Sequence, residues 1–216
     1  MSGQSAERMS MPRKSQRLGQ RFHDAFLFAS TSHAEQTRKQ TTTPYIAHLM
    51  SVSALVLEAG GDEDLAIAAL LHDVVEDCGG KPMLEEVRKR FGPRVAHVVA
   101  GCTDSDTYPK PSWRERKEAY LEHLRTAEPD VRLVSAADKL HNAREIVRDY
   151  RADGELVWQR FGGKREGTLW YYRALAEEFR RPPGNRLVDE LYRVIAETGP
   201  TGAASGIGKA MNRDHA

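Results

Sequence analysis

The sequence predicts an all-α fold. Apolar residues recur at helical spacing from about residue 21 to 198, helix exits fall at glycine and proline, and no sustained period-2 alternation competes. At 216 residues the chain is long enough for one good-sized core, and we expect a single domain over 21–198.

The elements follow in order. "RFHDAFLFASTSHAEQ" sets Phe22, Ala25, Phe26, Ala29 and His33 along one face of a first helix. "TPYIAHLMSVSALVLEAGG" continues with Ile46, Leu49, Val52 and Val56 and stops at Gly60–Gly61. Asp62 is placed to cap the next helix, which carries "AALLHDVVEDC", residues 68–78. "KPMLEEVRKRFG" and "PRVAHVVAGCTD" predict two shorter helices divided at Gly92–Pro93. In "PSWRERKEAYLEHLRTA", Ser112 stands three residues before Glu115, the spacing of a capping box. "DVRLVSAADKLHNAREIVRDYRADG" predicts a long helix ending near Gly154, and "REGTLWYYRALAEEFRR" and "NRLVDELYRVIAETG" two closing ones. Trp158, Trp170, Tyr171 and Tyr172 are expected to pack these closing helices on the core.

Composition excludes several classes. Lys+Arg 32 against Asp+Glu 31 gives a net +1, so no basic field marks a nucleic-acid binder. Cys78 and Cys102 have no CxxC or CxxH partner, which argues against a disulfide framework and against cysteine-ligated zinc. No apolar run approaches the roughly 20 residues of a membrane span. Residues 1–20 are basic and polar without the apolar centre of a signal peptide, so a disordered lead-in and a cytoplasmic protein are expected. Residues 199–216 are expected to be a disordered tail. Their "GIGKA" fails as a phosphate loop, because Ala203 replaces the first glycine, Ala210 follows Lys209, and no strand precedes it.

Three islands hold ionisable groups on or beside apolar helices: "RKQTTTPYIAHL" with Arg38, Lys39, Tyr45 and His48; "AALLHDVVEDC" with His72, Asp73, Glu76 and Asp77; and "AADKLHNAREI" with Asp138, Asn142, Arg144 and Glu145. Within the second island His72 and Asp73 diverge by about 100° around a helix axis and can still reach one ion lying between them. Glu76 and Asp77 follow each at i+4, on the same face one turn on. Carboxylates are costly to bury without a partner, and a divalent cation would offset that cost. A mixed imidazole and carboxylate set suits Mn, Fe, Zn or Co, and Glu76 or Asp77 could orient a water or take its proton. Each residue alone also has a plainer reading: His48 as a hydrogen-bonded structural histidine, Asp138 as a cap or salt-bridge acceptor, Glu76–Asp77 as a solvated helix end.

Taken together, "HAEQTRK" (33–39), "PYIAH" (44–48), "AALLHDVVED" (68–77), "FGPRVAHVVAGCTD" (91–104) and "AADKLHNAREI" (136–146) resemble the HD-domain phosphohydrolases. The similarity, over about 33–150, is to the alarmone hydrolase branch, comprising the hydrolase half of RelA/SpoT proteins and the small stand-alone enzymes. The resemblance implies four metal ligands, His48, His72, Asp73 and Asp138, with Mn(II) the usual metal and another divalent ion the alternative. It implies a catalytic pair, Glu76 and Asp77. It places Arg38 and Lys39 near base and ribose and Asn142 beside the metal, and Tyr45, Arg144 and Glu145 complete the expected substrate-binding set. The implied reaction removes the 3′-pyrophosphate of ppGpp or pppGpp. Alternatives on the same scaffold are an NADPH 2′-phosphatase or a ppApp hydrolase and, from another class, an inactive nucleotide sensor. The expected partner is a nucleotide, with no nucleic acid and no membrane, and a homo-oligomer is possible; no synthetase is expected after residue 150.

The chain departs from the family pattern in three places. The loop "QTTTPY" is one residue longer than usual and lacks glycine. Leu49 stands where proline usually follows the ligand histidine. Glu145 stands where many long members carry a small hydroxyl residue, and its carboxylate could accept the N1–H and N2–H of guanine. His33, Gln36 and His141 are expected to be structural.

Overall fold

The computed structural model describes residues 17–103, 111–181 and 186–198. The lead-in up to residue 16 and the tail from 199 lie outside these described residues. The order is α1 (Gln20–Ser32), α2 (Ile46–Glu58), α3 (Glu63–Leu71), α4 (Val74–Cys78), α5 (Gly80–Phe91), α6 (Pro93–Cys102), α7 (Trp113–Thr126), α8 (Pro129–Asp153), a 3₁₀ turn (Gly154–Arg160), α9 (Lys164–Arg180) and α10 (Arg186–Ala196). The all-α expectation holds: among the described residues the one β-type pairing is an isolated bridge between Thr37 and Pro44.

The sequence signals act where they were expected. Asp62 caps α3 by accepting from the Leu65 N–H, and Ser112 and Glu115 form a reciprocal capping box on α7. Pro93 opens α6 directly after Gly92, and α8 begins at Pro129 and ends at Gly154, whose φ of 59° suits a residue without Cβ.

Two boundaries differ from the periodic reading. His33 is not on α1 but caps its end, leaving 33–45 as a loop. The expected single helix through 68–78 is broken at His72–Asp73 into α3 and α4. The cause is local: the His72 Nδ1 lies 2.8 Å from the Ala69 carbonyl, the group that an uninterrupted helix would offer to the Asp73 N–H.

α8 is the central element, packed by α2, α3, α6 and α10. Leu49, Val52 and Val56 of α2, Ile67, Leu70 and Leu71 of α3, and Leu140 of α8 are fully buried around it. Each such side chain stabilises the fold by about 1.5–3 kcal/mol. The aromatic segment packs as expected. Trp158, Tyr171 and Tyr172 are buried, and Trp113 lies edge-on to Trp170 and Tyr171. No described helix is long and apolar enough to cross a membrane.

Candidate active site

α2, the α3–α4 break and α8 each deliver polar side chains to one point. His48, His72 and Asp138 are buried, and each offers a ligand atom within 4.8 Å of the others. His48 Nε2 lies 3.3 Å from Asp138 Oδ1 and 3.7 Å from Asp73 Oδ2. His72 Nε2 lies 3.0 Å from Asp73 Oδ2 and 3.7 Å from Asp138 Oδ1. Three segments separated in sequence thus converge on the space bounded by these four atoms.

The chemistry of this donor set fits a cation. Ala69 O can only accept, so the His72 Nδ1 carries a proton, and Nε2 faces two carboxylates, a position where either a proton or a metal cation would supply the positive charge. That Nε2 is buried and has no hydrogen bond of good geometry, although Asp73 is within ion-pair distance. Burial opposes protonating His72, yet the Asp73 and Asp138 charges reverse this and hold the ring well above its usual range. Burial also opposes ionising Asp73 and Asp138; the His72 charge holds Asp73, and the Lys139 charge with both imidazoles holds Asp138, below the ordinary carboxylate range. For His48 burial wins and lowers the ring. The site demands positive charge, and the four side chains would hold a divalent ion.

Neighbours orient the ligands. Tyr45 Oη donates to Asp73 Oδ2 at 2.6 Å, and the Tyr45 ring stacks on His33. Lys139 Nζ bonds Asp138 Oδ2 at 2.6 Å, leaving Oδ1 to face the histidines. His48 Nδ1 lies 2.8 Å from His141 Nδ1. Asn142 Nδ2 donates to Asp138 Oδ1 at 2.5 Å. Such contacts fix the tautomer and direction of metal ligands.

Beside the cluster a cavity of about 120 Å³ is lined by Arg38, Lys39, Asn142, Glu145, Arg160 and Tyr172 among others. This is below the roughly 300–1,000 Å³ of typical ligand clefts, so it can enclose only part of a nucleotide. A larger groove, about 610 Å³ between α1 and α5, holds none of the cluster, and its volume alone does not make it the site. Arg38 sits 5.5 Å from the Tyr45 ring centroid and donates to Asn142 Oδ1.

The expected residues divide accordingly. His48, His72, Asp73, Asp138 and Tyr45 meet at the cluster, and Arg38, Lys39, Asn142 and Glu145 line the cavity. Arg144 instead bonds Glu190 of α10 at 2.5 Å, tying α8 to α10. Glu145 is gripped by both Nη atoms of Arg148, at 2.5 and 3.1 Å. Glu76 is half-buried on α4, and Asp77 is exposed and bonded by Gln36. Partial desolvation by its neighbours, together with the charges of Asp73 and Glu76, outweighs the Gln36 bond and raises the Asp77 carboxyl although the side chain reaches solvent. The sequence reading did not single out Lys139, Asp149, Arg160 and Phe161, and it took Tyr172, which is buried as expected but also lines the cavity, as a packing residue only. Adjacency to Asp138 could have flagged Lys139, but no sequence signal marked the rest.

A buried His/Asp cluster gathered from three places in an all-helical domain is the arrangement to which the motifs pointed, a helical fold with residues that could hold a metal ion. The family model described as HD domain matches residues 25–169. The chain is 40% identical over 128 residues to guanosine-3′,5′-bis(diphosphate) 3′-pyrophosphohydrolase MESH1 of Xenopus tropicalis, covering 58% of this chain and 69% of the relative. It is 35% identical over 132 residues to bifunctional (p)ppGpp synthase/hydrolase SpoT of Escherichia coli, covering 58% of this chain but 18% of that protein. A solved structure of a metazoan ortholog of SpoT, described as hydrolysing ppGpp, superposes with a TM-score of 0.71 at 30% identity, covering 86% of this chain and 99% of that one. The chain belongs to the HD-domain family.

Proposed function

We propose that the protein is a metal-dependent hydrolase that removes the 3′-pyrophosphate of (p)ppGpp, adding water across the ester to leave GDP or GTP and pyrophosphate. The observation that carries this reading is the convergence of His48, His72, Asp73 and Asp138, with the buried His72 Nε2 facing the space between them and making no hydrogen bond of good geometry. The names of relatives at up to 41% identity supply the substrate class. Mn(II) is the proposed ion, on the donor set and the family resemblance; when bound it supplies charge neutralisation and Lewis acidity at the scissile group.

The chain's own residues do the rest. Arg38 presents a planar guanidinium to the purine, and Lys39 a movable charge on the base and ribose side of the nucleotide. Glu76 and Asp77 stand on α4, one turn beyond His72–Asp73, to orient the attacking water and take its proton. Asn142 spans from the nucleotide side to Asp138.

The test is a substrate screen on metal-stripped protein reloaded with Mn(II), reading pyrophosphate against orthophosphate. Pyrophosphate from ppGpp supports the proposal. Orthophosphate from NADPH points to the 2′-phosphatase, and silence with every nucleotide to an inactive sensor.

One observation weakens the guanine preference that Glu145 would give and leaves ppApp as the second reading to test. Glu145 would favour guanine by accepting N1–H and N2–H, but Arg148 already occupies both of its oxygens. Comparing ppGpp with ppApp decides it, since faster ppApp cleavage removes Glu145 as a guanine reader.

A further inference from the structure

His33 and Gln36, read from sequence as structural, form a directed chain of hydrogen bonds that ends on Asp77. Gln36 Nε2 lies 2.8 Å from Asp77 Oδ2, and Gln36 Oε1 lies 2.6 Å from His33 Nδ1. The direction of each bond follows from what the atoms can do. An ionised carboxylate only accepts, so the amide turns its NH₂ to Asp77. The amide oxygen only accepts, so His33 Nδ1 carries the proton. His33 is held in turn: it is buried, and its ring stacks on Tyr45 with centroids 5.0 Å apart. The Gln36 backbone is pinned on both sides, its N–H bonded to the His33 carbonyl at 3.0 Å and its carbonyl taking the Tyr45 N–H at 2.9 Å. By contrast Asp77 is an exposed side chain on a helix of five residues.

We infer that Gln36 is a positioning residue that aims the Asp77 carboxylate, with His33 fixing the orientation of the Gln36 amide. The inference rests on the reading of Asp77 as a proton-transfer group. An exposed aspartate samples several rotamers, whereas one held by a pinned amide keeps a single direction, and misplacing a reacting group by about 1 Å can cost on the order of 100-fold in rate.

The experiment uses the full chain loaded with Mn(II), hydrolysing ppGpp. Gln36→Met keeps the length of the side chain and removes the donor. Gln36→Glu keeps the size and sets a carboxylate against Asp77. Both are expected to lower kcat about 10- to 100-fold, with KM and the Mn(II) Kd by calorimetry within about two-fold, because Gln36 touches neither the proposed ligands nor the cavity. In an Asp77→Ala background Gln36→Met should cause no further loss. His33→Phe, which keeps the stack on Tyr45, should lower kcat in the same direction but less. If Gln36→Met fails to fold by its urea midpoint, Gln36→Glu and His33→Phe carry the same test. A wild-type kcat in Gln36→Glu, an equal loss with and without Asp77, or a loss confined to KM or Mn(II) affinity overturns the inference. A wild type that cleaves nothing overturns the proposed function and this role with it; an active wild type matched by its Gln36 variants overturns only this role.

Discussion

Arg38 and Asn142, 104 positions apart in the chain, share a hydrogen bond of 2.6 Å, and the other end of the Asn142 amide bonds Asp138. One side chain therefore links the cavity wall at Arg38 to Asp138, the proposed metal ligand. Asn142→Leu is expected to weaken Mn(II) binding about 10- to 100-fold, the usual cost of losing an outer contact to a ligand, and to raise KM as well. Calorimetry with Mn(II) alone separates the two effects; unchanged metal affinity would show that Asn142 serves the nucleotide only.

His141 supports His48 in a different way. With His48 Nε2 turned to the ion, its Nδ1–H must donate to His141 Nδ1, which requires a neutral His141. Burial, helped by the nearby His48 and Arg38, pushes His141 down to about 3, so neutrality is met at ordinary pH. His141→Phe should weaken Mn(II) binding about 10-fold or more, and His141→Gln, which keeps an acceptor, should recover part of it.

Metal removal should also be visible in stability. An ion that binds only the folded chain adds about 2.7 kcal/mol at 100 times its Kd. For a domain of this size that is roughly 5–10 °C in Tm. Stripping with chelator should lower Tm by that amount, and titrating Mn(II) should restore it in a concentration-dependent way. A Tm that does not respond would contradict ion binding at the cluster.

Packing between α6 and α8 gives a prediction independent of chemistry. A Cβ on Gly101 would come within 2.7 Å of Val131 Cγ2 and 2.8 Å of its Cγ1. Gly101→Ala is therefore expected to cost about 1–3 kcal/mol in urea denaturation through overpacking, with Mn(II) affinity retained.

The cap of α3 supplies a pH signature. Asp62 accepts from the Leu65 N–H and pairs with Arg94 at 2.5 Å; burial works against its ionisation, but these partners outweigh it and lower the carboxyl. A lowered carboxyl contributes stability above its unfolded value, near 4, and loses it as pH falls through the folded value. Asp62→Ala should cost about 1 kcal/mol at pH 7, and the gap from wild type should narrow below about pH 4.

Much of this was legible in sequence because it is local. Gly92–Pro93, Gly154, Asp62 and the Ser112–Glu115 box mark their helix ends by backbone chemistry alone. The family resemblance carried by the motifs also picked out, as a group, the four side chains that meet at the cluster. What escaped depends on partners remote in the chain or on one side chain overruling periodicity. The helix break at 72–73 follows from an imidazole taking a carbonyl, which no apolar pattern records. Arg144 belongs to Glu190, and Arg160 lines the cavity, only because the C-terminal helices fold back on α8. The glycine-free loop after Lys39 turns by placing Gln40 at a φ of 58°, in the left-handed region that glycine adopts most readily.

α8 carries Asp138, Asn142, Glu145 and Asp149 at steps of four, three and four residues, which align them in a single row. At 1.5 Å per residue the row is about 16 Å long. It begins at the ion's carboxylate and ends in the cavity wall. The helix is thus a ruler whose graduations are set by main-chain hydrogen bonds. On the proposed function, the separation between the cleaved phosphoester and the bound base would be built into its pitch, and the surrounding loops could vary without resetting it.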